Sequence, residues 1–294
     1  MSILHYIKTE KKFKFKRLFK ELKRNYLNIE FEERTENLYY LWLSDFSARG
    51  VDISVEKENW VELRNTILSN EADYQLTELT ATIICALFKG KVFIVNQDFD
   101  SKNDPPELAF NRIKLPLFDD IFKELQYVKD VQTMGYMIEA NQGSCGIQGP
   151  FRQAQFGLRF FNEMKDESIK EQADHVMRTL LRLNYNYIGM GYGNVIRLGQ
   201  EDDPIVVKLI TNKQNTLIDK YDFILFQGED EEPIAITNDT LNTILPESWI
   251  LLDEYNIFAP VLKPDEFDEL KRKAEEINEI DYFELRLDGG DIIR

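Results

Sequence analysis

Two cysteines and two histidines are all that this 294-residue chain offers for thiolate or imidazole chemistry. His5 and His175 cannot build a His-rich zinc site, and Cys85 and Cys145 lack the paired spacing of a metal knuckle. Cys85 falls inside the apolar run Thr82-Ile83-Ile84-Cys85-Ala86-Leu87, which suits a reduced thiol better than a structural disulfide. Long apolar runs are missing too. Stretches such as Ala81 to Phe88 fall far below the roughly 20 residues that span a bilayer. No apolar signal core precedes the first lysines, so an unexported cytoplasmic protein without a membrane span is expected. Positive charge is scarce, with 36 Lys and Arg against 52 Asp and Glu and a net charge of −16. That balance repels phosphates and disfavours nucleic acid as a partner of the acidic body.

The scarce positive charge is concentrated. Residues 8 to 24 hold nine Lys or Arg against two Glu, or +7, so a total of −16 leaves −23 on everything else. Within that segment Phe15, Leu18, Phe19, Leu22 and Tyr26 share one helical face, with Lys16, Arg17, Lys20, Lys23 and Arg24 opposite. Burying those five apolar residues is worth on the order of 10 kcal/mol gross, at roughly 1.5 to 3 each. An exposed ion pair is worth about 1 or less. The segment therefore reads as a packed amphipathic helix with a cationic outer face, Phe13 lying among the lysines.

Periodicity continues helical in the first half. A second helix is expected from an N-cap at Thr35, with Leu38, Leu41, Trp42 and Phe46 inward and Gly50 as its stop, and a third with Trp60, Leu63 and Ile67. Leu76, Leu79, Ile83, Ile84 and Leu87 form the clearest helix, capped near Asp73, before a buried strand at Val92 to Val95. Further helices carry Ile121, Phe122, Leu125 and Val128, then Ile169, Ala173, Val176, Met177 and Leu180. From about residue 184 the pattern turns to short β-branched runs at 195–198, 205–210, 223–226 and 234–237, which read as an antiparallel meander. A strand at 249–252, a helix opening at Pro264 and a closing strand at 282–287 complete the pattern. The expected fold is α+β: a mainly helical region over 1–183 packed with an antiparallel β-rich region over 184–294, as two units or one.

Two segments carry family resemblances. Asn141-Gln142-Gly143-Ser144-Cys145-Gly146 resembles the stretch before the nucleophile of papain-like cysteine proteases, where Gln142 would match the oxyanion-hole Gln. The nucleophile's position is Gln148 here, the Trp after it is Gly149, and no His follows His175. The resemblance thus implies at most an inactive relative. Ile188-Gly189-Met190-Gly191-Tyr192-Gly193-Asn194-Val195, followed by Ile205-Val206-Val207-Lys208, resembles the glycine loop and lysine-bearing strand of protein kinases. That resemblance implies nucleotide binding at Gly189, Gly191, Gly193 and Lys208. Only 86 residues follow Lys208, without a His-Arg-Asp catalytic loop or an Asp-Phe-Gly motif. The plainer account is a β-hairpin with Lys208 outward.

Other polar clusters read as solvated surface. Asp98, Asp100 and Asp104 resemble part of a calcium loop, but Lys102 and Asn103 occupy its fifth and sixth positions. His175 follows Glu171 by one turn, as an i, i+4 pair. No metal site and no cofactor are expected. The leading expectation is a non-catalytic acidic protein-binding module, of the immunity or inhibitor type by class analogy, that meets a basic protein through Glu229, Asp230, Glu231 and Glu232. The alternatives are a nucleotide-binding protein or enzyme using the Gly189 to Gly193 loop with Lys208, and a structural subunit of a larger assembly.

Overall fold

The computed structural model of this chain describes residues 2–57, 59–95, 109–200, 203–226 and 233–277. The chain divides into two compact units, Met1–Asn186 and Tyr187–Arg294.

The first unit opens with β1 (Ile3–Lys8), α1 (Phe15–Asn25), β2 (Ile29–Thr35), β3 (Leu38–Leu43), β4 (Val51–Lys57), β5 (Trp60–Asn65) and α2 (Glu71–Phe88). It continues with β6 (Lys91–Val95), β7 (Phe110–Ile113), α3 (Asp120–Asn141), β8 (Ser144–Gln148), β9 (Gln153–Gly157), α4 (Leu158–Glu163) and α5 (Ile169–Tyr185). Seven strands form one antiparallel sheet in the order β2-β3-β4-β5-β1-β6-β7, and β8 and β9 form a separate hairpin. Strand alternation sends Ile7, Leu41, Ile53, Leu63 and Val92 to one face, where they meet Leu18 and Leu22 of α1 and Leu76, Ile84 and Phe88 of α2. Asn70 and Asp73 close a reciprocal capping box on α2, and Lys89 ends that helix in the left-handed conformation. In α1 the residues Phe15, Leu18 and Leu22 are buried, with Lys23 and Arg24 in the last turn, where the helix dipole favours cations.

The helical reading of the N-terminal region is overturned, because a seven-stranded sheet runs through it and the helices do not form an N-terminal block. The residues expected as a helix after Thr35 form β3, where Tyr39, Leu41 and Leu43 alternate with Tyr40 and Trp42, and both sets are at least half-buried. A strand covered on both sides loses its period of two, and an aromatic and leucine run then matches a helical face by chance. Trp60 and Leu63 lie in β5, where Val61, Leu63 and Asn65 take the core face, and Ile67 falls in the following turn. Phe13 is buried against Phe88, ring centroids 5.3 Å apart, and is not exposed among the lysines.

The second unit contains β10 (Val195–Gln200), β11 (Asp203–Ile210), β12 (Thr216–Ile218), β13 (Phe223–Phe226), β14 (Ile234–Ile236), α6 (Asn238–Thr243), β15 (Ile250–Leu251), β16 (Ile257–Ala259) and α7 (Pro264–Ile277). Its four-stranded sheet, β10-β11-β13-β14, is mixed, since Val207 to Ile210 run parallel to Phe223 to Phe226. The expected meander fails at that step. Strand β12 leaves to pair with β16 in a second sheet, β12-β16-β15, so the chain re-enters beside β11 from the same end. Ile224, Phe226, Ile236, Trp249 and Ile257 join Phe267, Leu270 and Ala274 of α7 in the core of this unit. The closing strand expected at 282–287 lies outside the described residues.

Candidate functional site

Among the described residues Lys208 is the largest charged side chain fully inside the protein, 1% exposed on β11. It is paired across the sheet with Val195 and Ile224, so it projects to the side on which Ile224 joins the core. The outward placement expected of a hairpin lysine is therefore corrected. Its Nζ donates to the Tyr192 carbonyl and to Thr216 Oγ1, the latter at 3.3 Å. Thr216 Oγ1 in turn donates to the Gly191 carbonyl at 3.3 Å, and the Leu217 amide reaches the same carbonyl at 3.2 Å. Gly193 has φ +65°, and a Cβ there would come within 2.6 Å of Lys208 Nζ, so a side chain would be strained by the backbone and would displace the lysine head. Burial pulls the Lys208 ammonium down to about 8.

A phosphate-cradling loop aims amide N–H groups at its ligand. Here the loop turns the carbonyls of Gly191 and Tyr192 toward Thr216 and Lys208. The adjoining cavity, lined by Gly193, Asn194, Asn212, Gln214, Thr216 and Trp249, is about 20 Å³, room for about one water molecule. The lysine thus holds the loop to β11 and β12. Gly189, Gly191 and Gly193 all lie in that loop, but Gly189 at φ +82° has open space around it.

Gln142 caps α3 in the left-handed conformation, and its side chain donates to the Glu139 carbonyl at 2.8 Å. Cys145 follows in β8 opposite Phe156, in a hairpin where the protease family has a helix. Burial pushes its thiol up against the opposing pull of Arg49, so the thiolate is disfavoured. Arg49 anchors this hairpin by donating from Nη1 to the Gln148 carbonyl. His175 Nδ1 lies 4.0 Å from Glu167 and not beside Glu171, which caps Ser168. Among the described residues no group of three or more His, Cys, Asp or Glu could hold a metal ion. No helix there is long and apolar enough to cross a membrane.

The Glu229, Asp230, Glu231 and Glu232 run lies outside the described residues, as do Asp98, Asp100 and Asp104. A different acidic feature is described in the second unit. A groove of about 530 Å³ opens between α7 and the segment after α6, with Ile244, Pro246 and Leu270 as apolar lining. Glu247, Glu266 and Glu269 line it as well, facing a single cation, Lys273. Glu266 meets Lys263 at 3.4 Å and Glu269 meets Arg272 at 2.8 Å, whereas Glu247 makes no ion pair among the described residues. Periodicity alone marks Leu270 as a core residue of α7. The groove needs the chain after α6 to be folded back beside that helix, which no local pattern announces.

No protein-family model, curated protein or solved structure matches this chain.

Proposed function

We propose that this chain is a non-catalytic protein-binding module that receives a basic segment of another protein in the groove lined by Glu247, Glu266 and Glu269. The observation that carries the reading is the composition of that groove: three carboxylates and one ammonium around Ile244, Pro246 and Leu270. A Lys or Arg side chain fits such a place by laying its methylene stem on the apolar lining and its head among the carboxylates. The net charge of −16 supports it by steering a cationic partner toward the protein. The free thiols of Cys85 and Cys145 suit a reducing compartment such as the cytoplasm. An inhibitor of the immunity type is the most specific form of this reading.

The test is fluorescence anisotropy with a labelled peptide of alternating Lys and Leu residues. The unaltered chain should bind it in a salt-dependent way, and a Glu247→Gln, Glu266→Gln, Glu269→Gln variant should bind at least tenfold more weakly. Equal binding by a folded variant overturns the assignment of the groove.

A further inference from the structure

The antiparallel sheet of the first unit has a second face. α2 packs against β1, β5 and β6 from the side of Ile7, Leu63 and Val92, so alternation sends the other side chains of these strands away from it. The register Tyr6↔Phe93 and Lys8↔Trp60 places those four residues together on that outer face, and Val95↔Phe110 extends it to the edge strand β7. Their rings form one cluster. Tyr6 and Trp60 lie 5.2 and 5.5 Å from Phe110, and Phe93 lies 5.6 Å from Trp60, centroid to centroid. Phe110 is exposed and the other three rings are half-buried.

Cations surround this cluster. Lys8 and Lys91 are direct cross-strand partners, and Arg112 is the partner of Phe93. All three are exposed. Like charges placed opposite one another on a sheet are destabilising. In a chain with 52 acidic residues, none forms an ion pair with Lys8, Lys91 or Arg112 among the described residues. Glu62, the partner of Tyr6, stands on the same face toward β4.

We propose that this face binds single-stranded nucleic acid, with bases stacking on the aromatic rings and phosphates held by Lys8, Lys91 and Arg112. Two requirements of such a site meet here. Stacking on aromatic side chains supplies sequence-tolerant affinity, and cations beside the rings track the backbone. A peptide of Asp and Glu would satisfy the cations, but it has no aromatic ring to stack on the cluster. The overall charge of −16 does not govern the encounter at contact range, because the Debye length of about 8 Å at physiological salt screens the more distant carboxylates. The strand meets the local charge.

The experiment is fluorescence anisotropy of labelled twelve-nucleotide oligo-dT and oligo-U with the full chain, over 50 to 200 mM NaCl. Binding should fall with salt with a logarithmic slope of about −2, the value for three phosphate contacts on a single strand. Lys8→Gln with Lys91→Gln should weaken it at least tenfold and flatten the slope to about −0.7, the value for the one contact that remains. Phe110→Ala, at an exposed edge position where folding is not at stake, should weaken it about fivefold or more. Three outcomes overturn the proposal: no binding of either oligonucleotide at 50 mM NaCl, binding unchanged in the cation variant, or tighter binding of a poly-Glu peptide that survives Phe110→Ala.

Discussion

The carboxylate of Asp73 accepts the amide of Gly50 at 2.8 Å, tying the first turn of α2 to the loop that enters β4. It also accepts the amides of Arg49 at 2.9 Å and Asn70 at 3.0 Å, so one fully buried side chain satisfies three backbone donors. Removing it by Asp73→Ala should cost at least about 3 kcal/mol, since three donors are orphaned at about 1 to 3 each. Gly50 is equally constrained. It has φ +65°, and a Cβ would run into the Leu41 carbonyl and approach the Tyr40 ring to 2.8 Å. Gly50→Ala should therefore destabilise the first unit by at least about 2 kcal/mol in urea unfolding.

His5 makes the first unit sensitive to acid. It is 3% exposed on β1, edge-on to Phe118 at 5.2 Å, and burial pulls its imidazole down to about 4 despite the nearby Glu78. The folded pKa lies below the unfolded value of about 6.5, so its stability contribution is present above 6.5 and lost as pH falls through 4. That gap amounts to about 3 kcal/mol. His5→Phe should remove this acid dependence, measured as the difference from the unaltered chain between pH 6.5 and pH 4. Asp73 titrates with the opposite sign. Burial raises it to about 6, so its contribution is full below about 4 and lost as pH rises through 6.

Lys208 imposes a different window on the second unit. Its ammonium, held near 8 against a usual value of about 10.4, contributes stability that is present above 10.4 and lost as pH falls through 8. Lys208→Met should abolish the rise in stability from pH 8 to pH 10. At pH 7 the variant also relieves the desolvation cost of the buried ammonium, so Lys208→Met should destabilise the chain less there than at pH 10. ATP or GTP with magnesium should leave the melting temperature unchanged. A rise that disappears in Lys208→Met would restore nucleotide binding.

The basic helix is held by its apolar face. Leu18→Ala and Leu22→Ala, both fully buried, should each cost about 2 to 5 kcal/mol. Lys16→Ala and Lys20→Ala on the exposed face should change stability by no more than about 0.5 kcal/mol. Chemical denaturation of the four variants separates the two faces.

Several elements were legible because their signals are local. α2 carries apolar residues at helical spacing behind a capping box, α5 shows the same pattern from Ser168 onward, and α7 begins on a proline that suits a first helical position. β3 and β5 are not legible locally, because Leu38, Leu41 and Trp42, or Trp60 and Leu63, sit at spacings compatible with either structure. Only the neighbouring strands select the period of two. The direction of β13 was equally hidden, since parallel pairing with β11 depends on where β12 goes in the meantime.

Composition by itself determined that thiolate and imidazole chemistry is nearly absent and that the protein carries a large negative charge with one cationic helix. Those properties need no geometry. The tertiary structure alone decided that Lys208 points inward to the carbonyl side of its glycine loop, and that Glu247 faces Glu266 and Glu269 across an apolar groove. It alone gathered Tyr6, Trp60, Phe93 and Phe110 from four strands onto one face. The physical reason is strand register. A side chain's neighbours on a sheet come from other strands, and pairing that spans dozens of residues leaves no trace in local spacing.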